Sequence, residues 1–211
     1  MSKSLLVDYI PFEVTPQQIN ESLVKNGKLI VAGVLQRADA KNQNGRVYPH
    51  ETLMREAENY AKVQVKERRA LGELDHPDSS VVNLNNVSHN VLEMHWNGKD
   101  LVGTVEVLGT PAGNILKELF KSGIKLGISS RGLGSVEELG EASEGEANPT
   151  VKVKDDFELI AFDFVSNPST HGAFLSPTNE GMINEGIGTR NGPCCHDCKI
   201  EDIINDIFRG E

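Results

Sequence analysis

Apolar and polar positions along the 211-residue chain alternate in short runs of changing period. Thr15-Pro16-Gln17-Gln18 reads as a helix start, with Thr15 as cap and Pro16 at the first helical position; the helix runs to about Lys25 and stops at Gly27. Residues 29–35 are apolar on both faces and predict a strand, and 39–49 form a polar loop. Leu53, Ala57, Tyr60, Ala61 and Val65 recur at helical spacing within a helix over 50–69. Residues 81–93 include an apolar–polar alternation, and Asn97-Gly98 turns the chain into a second hairpin strand at 100–107. A short helix at 114–122 ends at Gly123, and a strand at 124–128 delivers a serine pair. Residues 137–149 are acidic and glycine-rich and read as a flexible loop, after which 151–165 return to strand.

Many short strands and few helices predict an α+β fold, a mainly antiparallel sheet or barrel flanked by helices. The expected division is a domain over 1–177, a linker over 178–193 rich in Gly, Asn and Thr, and a tail over 194–211. Within the tail, Ile200, Ile203, Ile204, Ile207 and Phe208 fall on one helical face. So short a helix is marginal alone and needs a partner or the domain surface.

Charge and cysteine usage narrow the function classes. A net charge of −10 argues against a nucleic-acid surface, which wants clustered Lys and Arg. No apolar run approaches the ~20 residues that span a membrane. The first residues do not read as a secretory signal. The three cysteines, 194, 195 and 198, all lie in the tail, which suggests a reducing cytoplasm rather than a disulfide framework. Cys194, Cys195, His196 and Cys198 are too crowded for one chain to wrap a tetrahedral ion, so no metal or other cofactor is expected, a metal shared between chains aside. His89 and His95 read as packed or surface histidines.

Two blocks carry chemistry. Gly72-Glu73-Leu74-Asp75-His76-Pro77 presents a histidine in a polar turn. Gly127-Ile128-Ser129-Ser130-Arg131-Gly132-Leu133-Gly134-Ser135 presents two serines between glycines. A serine hydroxyl needs a base within hydrogen-bond reach, and the base needs an orienting acceptor. The histidine precedes the serine, the reverse of the α/β-hydrolase order. On an extended segment the two hydroxyls point to opposite faces, so only one of them can meet His76. Asp75 is a poor orienter, because adjacent residues on an extended chain face opposite ways, and is expected in a turn. Asp163, a lone carboxylate in an apolar run, is costly to bury without a partner, and His76 would supply one. Backbone N–H groups at Arg131 and Gly132 are candidate oxyanion donors. The Arg131 side chain fits either an acidic substrate group or a structural carboxylate.

With Asn44-Gly45-Arg46-Val47-Tyr48-Pro49 upstream and Asp163-Phe164-Val165-Ser166-Asn167-Pro168-Ser169 downstream, the blocks stand in the order of a known family. The chain resembles the prohead (procapsid) maturation proteases of T-even-type tailed bacteriophages. The resemblance implies a β-barrel with surrounding helices, as in herpesvirus-assemblin-like serine proteases. It implies Ser129 as nucleophile, His76 as base and an acid at Asp163. His171 is a rival third member by analogy with the assemblins, and Glu73 a minor one. It further implies cleavage after glutamate in [IL]-x-E sequences with a small residue following. Ile183-Asn184-Glu185-Gly186 and Leu139-Gly140-Glu141-Ala142 match that pattern, so self-cleavage is expected at Glu185–Gly186 in the linker or Glu141–Ala142 in the acidic loop. The implied partners are scaffold and major capsid precursor proteins, met inside a procapsid in the host cytoplasm, with the tail docking the enzyme to scaffold; self-association stays open. The rival readings are a non-enzymatic assembly protein on the same fold and a metal-dependent hydrolase, the latter without an H-E-x-x-H motif.

Overall fold

A computed structural model describes residues 3–139 and 150–166. All of them belong to one compact unit, Met1–Leu175. The expected linker and tail, with Cys194, Cys195, His196, Cys198, Glu185 and Gly186, lie outside the described residues, as do His171, Glu141 and Ala142.

Among the described residues, ten strands and three α-helices follow one another: β1 (Ser4–Phe12), α1 (Pro16–Asn26), β2 (Ile30–Arg37), β3 (Arg46–Val47), α2 (His50–Tyr60), β4 (Leu71–Glu73), β5 (Val87–Asn97), β6 (Asp100–Val107), α3 (Pro111–Lys121), β7 (Leu126–Gly134), β8 (Val136–Glu138), β9 (Val151–Val153) and β10 (Glu158–Ser166). Three sheets form, in the orders β1-β7-β10, β2-β6-β5-β4 and β3-β9-β8. Pairing is antiparallel except between β3 and β9 and at a single bridge, Leu74 to Phe164, which joins the end of β4 to β10.

Local chemistry explains most element ends. Thr15 and Gln18 form a capping box, and α1 closes on Gly27 at φ 65°, whose N–H reaches Leu23 O at 3.0 Å. Thr110 and Pro111 repeat the same start, so α3 begins three residues earlier than the expected Asn114. The expected 50–69 helix is α2 followed by a π-helical turn, Ala61–Val65, and the chain then breaks at Arg68, φ 56°. Two strands depart from the sequence reading. Residues 4–12, for which the sequence pattern predicts no element, are β1. Residues 71–73, too short to show a period, are β4. The serine strand also runs on to Gly134 instead of stopping at Ile128.

The core lies between the first two sheets and the helices. Phe164 is its hub, edge-on to Phe12 (5.0 Å), Phe120 (5.3 Å) and His89 (4.7 Å). His89 is packed, donating from Nε2 to Phe162 O at 2.9 Å and accepting from Ser88 Oγ at Nδ1, 2.8 Å; His95 is exposed. Gly72 permits this approach, because a Cβ there would stand 2.0 Å from Phe162 O and 2.3 Å from the His89 ring. Burial pulls the His89 imidazole down to about 4, so the ring is neutral.

Candidate active site

Strand β7 is central in its sheet, with β1 on one side and β10 on the other. Ser129 pairs with Tyr9 and Asp163, and Ser130 with Asp8 and Phe162. Cross-strand partners share a face, so the two serines separate cleanly. Ser130 Oγ accepts from Gln36 Nε2 at 2.7 Å in a buried contact. Ser129 lines a cleft of about 390 Å³, and its hydroxyl has no hydrogen-bond partner among the described residues.

His76 lines the same cleft. Its placement starts in β4, whose end is stitched to β10 by the Leu74–Phe164 bridge and by Asp75 N–H to Phe164 O at 2.8 Å. Asp75 is the expected turn residue: it takes φ 65°, and its Oδ1 accepts the His76 N–H at 3.1 Å. The cleft is lined by apolar Leu5, Val7, Tyr9 and Val165 and by polar residues that include Gln43, Asn44, Arg46 and Asp78.

Asp163 is brought beside Ser129 but is engaged elsewhere. Its Oδ2 lies 2.9 Å from Arg131 Nε, and its Oδ1 accepts from Arg131 Nη2 at 3.2 Å and Glu73 N–H at 2.9 Å. Among the described residues no hydrogen bond joins it to His76. Burial pushes its carboxyl up to about 6, against the opposing pull of the Arg131 charge. Glu73 is likewise buried, with Oε1 accepting from Arg131 Nη2 at 2.9 Å and Asn83 N–H at 3.0 Å.

Of the two readings of the Arg131 side chain, the structure has the contact with carboxylates of the protein itself. The Arg131 side chain is 0% exposed and pairs with structural carboxylates, not with a substrate group. Gly132 faces the core, where a Cβ would stand 2.4 Å from the Phe157 ring. Arg131 and Gly132 both stand in register with β1 and β10, and β10 carries a register shift between Leu159 and Ala161 opposite them.

The third block proves to be a carboxylate cradle. Buried Asp8 accepts from Asn44 Nδ2 (2.7 Å), Arg46 Nη1 (3.0 Å) and Tyr48 Oη, while Asn44 and Arg46 also bind Val7 O. Asn44, Arg46 and Tyr9 were not read as site residues; the only signal was the spacing of the Asn-Gly-Arg-Val-Tyr block itself. Among the described residues no group of three or more His, Cys, Asp or Glu is arranged to hold a metal, and no helix is long and apolar enough to cross a membrane.

Comparison with known proteins agrees with this architecture. The chain is 32% identical over 152 residues to the prohead core protein protease of Enterobacteria phage T4, covering 71% of this chain and 68% of that one. Its fold is similar to the solved structure of the bacteriophage T4 capsid assembly protease, with a TM-score of 0.66 and 26% identity over 79% of this chain and 99% of the other. The family described as prohead core protein serine protease matches residues 6–185. With that span covering the serine strand, the histidine turn and the cleft between them, the chain belongs to the prohead core protein serine protease family, a family of peptidases.

Proposed function

We propose that this protein is a serine endopeptidase that matures a procapsid from within, cleaving scaffold and capsid precursor proteins, and itself, after glutamate in [IL]-x-E sequences. The observation that carries the reading is the convergence of Ser129 and His76 on one cleft, in a chain of a peptidase family. The similarity to a capsid assembly protease supports the substrate class.

In the proposed reaction His76 takes the Ser129 Oγ proton as Oγ attacks the scissile carbonyl. The imidazolium then gives that proton to the leaving amine, and water releases the acyl-enzyme by the same exchange. The Ser129–His76 hydrogen bond forms as substrate displaces water from the cleft, as catalytic hydrogen bonds commonly tighten only in the complex. Asp163 supports the imidazolium by its charge, since its oxygens are given to Arg131. Leu5, Val7 and Val165 offer an apolar wall for the Ile or Leu two residues before the glutamate. Self-cleavage falls at Glu185–Gly186, with Glu141–Ala142 as the second site.

Intact mass of wild type beside Ser129→Ala tests this. The expected result is a wild-type chain ending at Glu185 and a variant retaining residues 186–211. If neither is trimmed and the wild type also leaves an [IL]-x-E peptide whole, a non-enzymatic assembly role on this fold replaces the enzyme.

A further inference from the structure

Arg131 is the largest fully buried side chain among the described residues. Burying a guanidinium is tolerated only where acceptors and opposite charge surround it, and here Nη1 and Nη2 make hydrogen bonds while Nε makes an ion pair that is not aligned as a hydrogen bond. Nε faces Asp163 Oδ2 at 2.9 Å. Nη2 reaches Glu73 Oε1 at 2.9 Å and Asp163 Oδ1 at 3.2 Å. Nη1 donates to Ser79 O at 2.8 Å. Glu73 and Ser79 bracket His76, three residues before it and three after. Asp163 is the cross-strand partner of Ser129, and Arg131 itself stands two residues beyond Ser129 on the same face of β7.

We infer that Arg131 is the positioning residue of the Ser129–His76 pair: one planar guanidinium ties both ends of the histidine loop to the strand that carries the serine. This rests on the catalytic reading above. Between Glu73 and Ser79 the loop is tied at its first two residues by the Leu74–Phe164 bridge, Leu74 N–H to Asn86 O at 3.0 Å and Asp75 N–H to Phe164 O at 2.8 Å. Those ties go to β10 and to Asn86, whereas the two Arg131 contacts, at Glu73 Oε1 and Ser79 O, tie both ends of the loop to β7 itself. A displacement of about 1 Å between nucleophile and base costs on the order of 100-fold in rate. A lysine cannot replace the fork, because a point charge on a flexible stem cannot reach three acceptors in fixed directions.

The experiment measures the rate at which a fluorophosphonate probe labels the full-length protein across pH, with thermal unfolding and peptide kcat and KM in parallel. The wild type must be labelled, and Ser129→Ala and His76→Ala must not; a wild type that stays unlabelled sinks the catalytic reading itself. With those controls met, Arg131 is tested alone. Arg131→Lys should slow labelling about 10- to 100-fold and lower kcat by the same factor, leave KM within about twofold, and move the acid limb of the pH–rate profile. A folded Arg131→Lys with wild-type labelling and an unmoved profile overturns the proposal. Because a lone substitution leaves buried carboxylates short of partners, Arg131→Met with Glu73→Gln and Asp163→Asn provides a neutral version of the cluster. It should fold and label as slowly as Arg131→Lys, and wild-type labelling there also overturns the proposal. Failure of both to fold assigns the arginine to folding alone, with the same consequence.

Discussion

Ser129 and Ser130 are adjacent, chemically identical and both almost fully buried, yet one belongs to the core and the other to the cleft. Ser130 sits in register with Asp8 and Phe162, and its hydroxyl is bound to Gln36. Ser129 sits in register with Tyr9 and Asp163 and shares a cleft with His76. One step along a strand turns a side chain to the other face, and that step separates a satisfied hydroxyl from an available one. The same contrast governs the charged groups. On the Ser129 face, buried carboxylates meet a buried arginine, which gives geometry. At Asp8, a carboxylate meets three donors from one loop, which anchors that loop to β1 beside the cleft.

Removing one hydroxyl at a time separates the two faces of β7. Ser129→Ala should lower peptidase activity by about 10³-fold or more at unchanged stability, measured with an [IL]-x-E peptide and urea unfolding. Loss of activity in Ser130→Ala instead would reverse the assignment of the faces. On the core side, Phe164→Ala empties the aromatic hub and should cost about 3–5 kcal/mol in urea, with Cm falling accordingly.

The titratable groups sharpen the contrast next. The folded value of Asp163 lies above the ordinary 3.8, so its contribution to stability is present below that pH and is lost as pH rises through about 6. The full loss is on the order of 3 kcal/mol, and Asp163→Asn should remove that slope from a stability–pH curve. His89 carries the opposite sign: its folded value lies below 6.5, so its contribution is present above that and is lost as pH falls through about 4. Urea unfolding from pH 4 to 8 reads both limbs in one series. The smallest effect is that of Ser130→Ala, about 1 kcal/mol from the acceptor lost to Gln36, with activity retained.

How far the chain was legible depends on the range of the interactions that decide each feature. Thr15-Pro16 and Asn97-Gly98 act within four residues, and both the α1 cap and the turn with Gly98 at φ 61° are where the sequence puts them. The divergence of Ser129 and Ser130 follows from strand geometry alone. Strand β1 escaped because its two faces are both apolar, Leu6, Ile10 and Phe12 toward the core and Leu5, Val7 and Tyr9 toward the cleft, so no single period stands out. Strand β4 escaped because three residues have no period at all.

Local sequence settles the helix caps, the hairpin turn, the antiparallel class and the residue types from which a hydrolytic site is built, but not β1 or β4. Only the tertiary structure decided how the charged groups are spent. Arg131 lies 58 residues from Glu73, 52 from Ser79 and 32 from Asp163 along the chain, and read locally it fitted a substrate contact as well as a structural one. Asp163 read as the partner of His76, and its oxygens lie against Arg131 and the Glu73 N–H. Burial is the reason. The cost of desolvating a charge is set by everything packed around it, and that neighbourhood exists only once β4, β7 and β10 have been brought together.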